Sequence, residues 1–397
     1  MNKLRFLFFL IIVFKISCNP TFAQSNLSTS TNNSLFNGQD LSGWYTFIKD
    51  RGKNIDPLNV FSVKNGMISI SGEEYGSIVT DEEYENYRLT VEFKWGDKTF
   101  APREFNTRDG GVLLHSNGKD GGYNGTWMNS IECQIIEGGT GDFIVVGDGT
   151  NKFSITANVA SEKKESPYYY HPDGQPVTIN SGRINWYGRD PDWKDEIGFR
   201  GKQDVENKVG EWNRIECLAV GDKISIFLNG ILVNEAYHVQ PQQGRIQIQS
   251  EGAEMFFRKV ELSPLSENQL ISLHAKEGKG VGPKIKLMPE WDAFGFFTSE
   301  DKIEWEGIEV PGNNSYDVYL EWSVSDKDAG QAYLLQIGKT KLEGVVNKSG
   351  SWEEFRTKKI GTVKLKKGIY PASFKPKQKS FEGGLLDFRE IKLIPQH

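Results

Sequence analysis

Long apolar runs are nearly absent from this 397-residue chain, and cysteine is scarce, with three in all. The single unbroken apolar run is Phe6 to Phe14, too short to span a bilayer. Lys3 and Arg5 precede it and Thr21-Phe22-Ala23 follows, the layout of a signal peptide over residues 1–23. Ile16-Ser17-Cys18 offers the alternative of lipidation at Cys18, although Lys15 sits badly in that motif. Exported, periplasmic or extracellular, is the expected location. No basic excess is present either. Lys and Arg total 47 against 53 Asp and Glu, a net charge of -6, which removes the electrostatic ground for nucleic-acid binding. No Cys/His spacing matches a zinc site. If cleavage follows Ala23, Cys133 and Cys217 remain, each alternating with polar neighbours as a buried strand residue does. Two buried thiols are therefore expected, although export would permit a disulfide.

The sequence is rich in glycine (42 residues) and aromatics (12%), a composition suited to short strands and tight turns. Residues 24–34 are small, polar and featureless. From Leu35 the signal has a period of two. Tyr87, Leu89, Val91, Phe93 and Trp95 alternate with Arg88, Thr90, Glu92 and Lys94. Asn65-Gly66 and Asn229-Gly230 are flanked by strand-like runs and predict hairpins. Strands at this density without amphipathic helices predict an all-β protein built as a sandwich over residues 35–265. Ser266 to Ala275 is read as a short helix capped by Ser266, within a linker spanning 266–284. A second, smaller sandwich follows over 285–397, with strands expected at Tyr316–Trp322, Ala332–Ile337, Trp352–Phe355 and Leu386–Leu393.

Three segments put polar groups on one face of an apolar strand. Ser130, Glu132 and Gln134 alternate with Ile131, Cys133 and Ile135. Gln247, Gln249 and Glu251 share a face, and His115 falls at the end of Gly111-Val112-Leu113-Leu114, on the face of Leu113. On a common concave sheet these would offer a carboxylate, an imidazole and several amides to sugar hydroxyls. Trp127, Trp186, Tyr187 and Trp193 would supply flat apolar surfaces. The competing reading is ordinary: alternating polar residues usually mark a solvated outer face, and aromatic rings can staple a long loop. The coincidence of three such segments beside glycine-rich turns, Asp109-Gly110-Gly111 and Gly138-Gly139-Thr140-Gly141-Asp142, favours a polar-ligand site.

At these residues the sequence resembles the 3-keto-disaccharide hydrolase family, long labelled a domain of unknown function. The carriers are LFNGQDLSGW from Leu35, GGVLLHSNG from Gly110, WMNSIECQIIEGGTGD from Trp127 and GRIQIQSEGAEMFFRKVEL from Gly244. The resemblance implies a concanavalin A-like jelly roll and cleavage of glycosides oxidised at C3. It makes Glu132 and His115 the catalytic pair, leaving open which is the base. It gives Gln134, Gln247, Gln249 and Glu251 to substrate hydroxyls or an enolate oxygen. Arg108 and Asp109 follow as neighbours of the His115 strand, and Arg183 and Asp190 are placed by the resemblance alone. The sequence itself requires no cofactor. A divalent metal on Glu132, His115 and Glu251 is compatible with the residues but compelled by no spacing. The C-terminal region is similar to carbohydrate-binding, galactose-binding-like sandwiches. Trp291, Trp305 and Trp352 could stack on sugar there or lie in the core. A glycan or disaccharide is the expected partner. The rivals are a two-carboxylate glucanase and a non-catalytic lectin.

Overall fold

The computed structural model describes residues 34–160, 168–381 and 383–396; the signal segment and most of the tail lie outside them. Among the described residues there are strands and two single-turn 3-10 segments, and no α-helix. No helix there is long and apolar enough to cross a membrane.

The alternation read from the sequence builds the first core. Leu89, Val91, Phe93 and Trp95 of the strand Tyr87–Thr99 point inward to meet Ile131, Cys133 and Ile135 of Asn129–Ile136. Two sheets thus enclose one apolar layer, in a jelly-roll sandwich. One sheet has nine strands, with Asn129–Ile136, Asp109–Asn117, Arg245–Ser250 and Gly76–Thr80 adjacent at its centre. The other contains Tyr87–Thr99, paired on one side with Ala253–Pro264 and on the other with Asn213–Val220. Both expected hairpins form, and both residues of each Asn-Gly turn have positive φ, as a two-residue turn of this hand requires. Cys133 and Cys217 are buried free thiols facing each other across this core.

A second core gathers Trp305, Leu320, Trp322, Phe374 and Phe388 among others. It lies between a five-stranded sheet and the far part of the second sheet, which continues into it through one register pair, Ile231↔Lys358. Around this seam Phe227 and Tyr319 pack with ring centroids 4.6 Å apart. Arg88, 4% exposed, bonds to Glu216 on its own side and Asp317 on the other.

Two local expectations change. Ser266 caps only one 3-10 turn, Glu267–Gln269, and Ile271–His274 is a strand. Ile271 and Leu273 alternate with Ser272 and His274, so both enter the second core, which a helix would prevent. The segment read as a linker thus carries core residues. Trp352–Phe355 is a turn: the Ser351 hydroxyl accepts from Glu353 N, and the strand starts at Arg356. Trp305 is buried with Nε1 donating to His274 O, whereas Trp291 is 36% exposed.

A candidate active groove on the nine-stranded sheet

The nine-stranded sheet turns one face to the core and the other to a polar groove. Register decides which residues share that outer face. Leu113 pairs with both Glu132 and Gln247, Gly111 with Gln134, and Gln249 with Ser77. Glu132, Gln134, Gln247 and Gln249 therefore line one surface, as their parity predicted. All four are buried. Arg183 joins them by pairing with Ile144, itself opposite Glu132.

Gly111 explains how the carboxylate fits. A β-carbon there would stand 2.4 Å from both Glu132 Oε1 and Gln249 Oε1. The bare backbone leaves that volume to the reactive groups. Around it the groove is knitted by hydrogen bonds. Gln134 Nε2 donates to Asp109 Oδ1 (2.5 Å) and Gly110 O (2.9 Å), and Arg183 donates to Gln134 Oε1 (3.3 Å). Gln247 Nε2 donates to Ser116 Oγ (2.8 Å), while its Oε1 accepts from Ser77 and Met128 N. Among the described residues Gln249 Oε1 is buried without a partner, an acceptor left for a proton on Glu132 or for a guest.

Three carboxyl groups converge here and titrate unlike free ones. Burial, reinforced by Asp109, raises Glu132 to about 8 against the pull of Arg183. Burial raises Asp109 to about 6, opposed by Arg103, whose Nη2 lies 3.2 Å from Asp109 Oδ2, and by Arg183. Glu251, partly exposed at the groove edge, is pushed up by burial, Asp109 and Glu132. At neutral pH the site thus holds an ionised Asp109 beside a protonated Glu132.

His115 is not in the groove. Its strand bulges between Leu114 and Asn117, and His115 takes φ +51°, so the extra residue reverses the alternation. The ring meets Tyr87, a core residue of the opposite sheet, at 5.6 Å and edge-on, and its Nδ1 bonds to Pro241 O at 2.8 Å. Burial lowers its pKa to about 4, so it is neutral. A metal on Glu132, His115 and Glu251 does not fit, since the imidazole stands on the other face. Among the described residues no three His, Cys, Asp or Glu side chains are grouped to hold one.

The remaining expectations divide. Trp127 borders the groove, stacked on Tyr75 at 6.3 Å with Nε1 donating to Gly76 O, and Tyr75 feels the Glu251 charge. Arg108 turns away to Glu137, which it meets through Nη1 at 2.8 Å. Asp190 accepts from Asp192 N and Lys202 N, closing its own loop. Trp186 is in the first core, Tyr187 lies under Arg356, and Trp193 lies under Arg189.

Arg103, Tyr75 and Asp142 escaped the sequence reading. Asp142 is fully buried; its Oδ2 accepts from Arg189 (2.6 Å) and Arg183 (3.2 Å), and its Oδ1 from Trp186 N (2.8 Å). It thus aims Arg183 at the groove and anchors the strandless stretch after Trp186. Its place at the end of Gly138-Gly139-Thr140-Gly141 was the available signal, read there only as room for a ligand.

No curated protein matches the chain. Among solved structures, a protein provisionally described as a glycosyl hydrolase from Parabacteroides distasonis ATCC 8503 is 16% identical, with a TM-score of 0.35, over 58% of this chain and 92% of its own. A second from the same organism is 20% identical, with a TM-score of 0.32, over 56% and 99%. The C-terminal CBM6 of LamC, a marine laminarinase from Zobellia galactanivorans, is 17% identical, with a TM-score of 0.27, over 32% and 98%. Scores this low carry no argument, and the assignment rests on the family profile. The profile of the 3-keto-alpha-glucoside-1,2-lyase-like domain matches residues 31–263, more than half of the chain and all of the groove. The chain belongs to the 3-keto-alpha-glucoside-1,2-lyase-like domain family.

Proposed function

We propose that this is an exported enzyme cleaving glycosides that carry a ketone at C3, by elimination followed by hydration. The observation that carries the reading is the convergence of Glu132 and Asp109 on the sheet face lined by Gln134, Gln247 and Gln249, where Gln134 bridges Asp109 to Arg183; burial raises Glu132 to about 8 and Asp109 to about 6 there. The ketone acidifies the C2 hydrogen. Asp109 accepts that proton, leaving an enolate whose oxygen is met by N–H groups of Arg183 and the glutamine amides. The electron pair then forms the C1–C2 double bond as the C1–O bond breaks, and Glu132 gives its proton to the departing oxygen. Water afterwards adds its hydroxyl to C1 and a proton to C2, for net hydrolysis. Asp109 thus replaces His115 as partner of Glu132.

A second reading is favoured by the same convergence. The Glu132 strand has no second acid, but Asp109 and Glu251 reach it from neighbouring segments, so a two-carboxylate glycosidase acting on unoxidised sugar is chemically available. Matched native and 3-keto disaccharides, offered in deuterated water to the wild type and to Glu132→Gln, separate the two. The proposal expects turnover of the 3-keto sugar only, with deuterium entering C2. Cleavage of the native sugar without C2 exchange would establish the rival. Binding without turnover, unchanged by the substitution, would leave a lectin.

A further inference from the structure

Away from the groove, a cleft of about 160 Å³ opens where the two cores meet. The first core contributes Tyr170, Tyr187 and Glu235, the second Glu321, Arg356 and Arg389. We propose that this cleft is a second binding site, which takes a single uncharged sugar ring.

Charge balance selects the ligand class. Arg389 meets Glu321 at 2.9 Å and Asp173 at 3.0 Å, and Arg356 meets Glu354 at 2.8 Å. Glu235 is met by Lys223 at 2.8 Å, and Lys392, also on the wall, by Glu390 at 2.9 Å. With every ionised wall group already countered, an ion gains little by entering. The neutral hydrogen-bonding capacity is another matter. Tyr170 lines the cleft and is 6% exposed, so its ring is fixed by the core while its hydroxyl faces the space a guest would fill. Burial and the nearby Glu235 and Glu321 keep it protonated, hence a donor. The guanidiniums are held over rings, Arg356 at 4.1 Å from the Tyr187 centroid and Arg389 at 3.4 Å from that of Phe355. Fixed N–H donors, carboxylate acceptors and a phenol around a small space match vicinal hydroxyls on a pyranose. Drug-sized guests occupy roughly 300 Å³ or more, so this cleft takes one ring and not a chain.

The test uses the full chain with D-glucose as probe, up to about 100 mM, because a site this small binds weakly. Hydrogen exchange by mass spectrometry locates the ligand, and thermal melting reports its linkage to stability. Glucose is expected to protect the strands Ile231–Gln240 and Arg356–Leu365 and to raise the melting temperature. Tyr170→Phe and Arg356→Gln are each expected to weaken this binding about tenfold, the worth of one good hydrogen bond. Arg356→Gln serves if the deeper substitution fails to fold. Glu132→Gln is expected to leave the cleft protection within about twofold, because distant sites act independently. Protection confined to the groove strands, no protection at all, or cleft protection indifferent to both substitutions would overturn the proposal. None of these outcomes bears on turnover in the groove.

Discussion

At the scale of single residues, the groove turns on a carboxyl group held in its unusual protonation state by burial. Such a group costs stability. Below about pH 4.5 folded and unfolded Glu132 both hold the proton; between 4.5 and about 8 only the folded form does, so stability falls as pH rises through that window. Glu132→Gln removes the titration. It is expected to raise the melting temperature at pH 7.5, with a gain on the order of 2 kcal/mol, while lowering turnover at least about 100-fold. The rate of the wild type should rise with pH through about 6, as Asp109 ionises, and fall through about 8, as Glu132 does. A steady-state pH profile measures both limbs. Gly111→Ala tests the space itself. Its methyl group meets the ends of two side chains, not backbone, so the melting temperature should move by no more than about 5 °C. Displacing Glu132 should nevertheless cost more than about tenfold in rate.

At the scale of elements, strand parity was legible and its interruptions were not. Glu132, Gln134, Gln247 and Gln249 share a surface because their strands run in regular register, and alternation reveals that directly. His115 shares the same kind of local pattern, but its strand carries one residue more than its partner between Leu114 and Asn117. That excess depends on where Asn129 lies on the neighbouring strand, which no local pattern encodes. Arg103, Tyr75 and Asp142 come from turns and strand ends distant in sequence, so only folding discloses their convergence. The stretch from Trp186 to Trp212 has no strand, and buried carboxylates hold it. Asp142 takes Trp186 and Arg189, Glu137 takes Gly198 N, and Glu206 itself takes the Trp95 indole at 2.6 Å. Asp142→Ala leaves the buried Arg189 guanidinium without its counter-charge and should cost about 3 kcal/mol or more. Limited proteolysis should then cut between Trp186 and Trp212 before any strand, and calorimetry should give the loss.

Across the whole molecule, the two cores are joined by few backbone hydrogen bonds and by a buried ionic cluster. Arg88, fixed by Glu216, Asp317 and the Pro395 carbonyl, is its centre. Arg88→Ala would leave Glu216 to Arg214 and Asp317 to Lys359 alone as counter-charges, at a cost of about 2 kcal/mol. It is expected to resolve thermal unfolding into two calorimetric transitions where the wild type shows one. Burial alone would raise Asp317, but Arg88 and Lys359 outweigh it and hold it near 2. Its contribution to the junction is thus present above the ordinary value of 3.8 and disappears as pH falls toward 2. The stitch through Ile231 and Lys358 is a single pair wide, so the halves are fastened by the ionic cluster together with a small apolar one, Leu218, Phe227 and Leu265 against Tyr319 and Ile394. Acid strong enough to protonate Asp317 should therefore slacken the charged part of this joint while its apolar part still grips, a selective loosening that heat, which acts on both kinds of adhesion together, would not imitate.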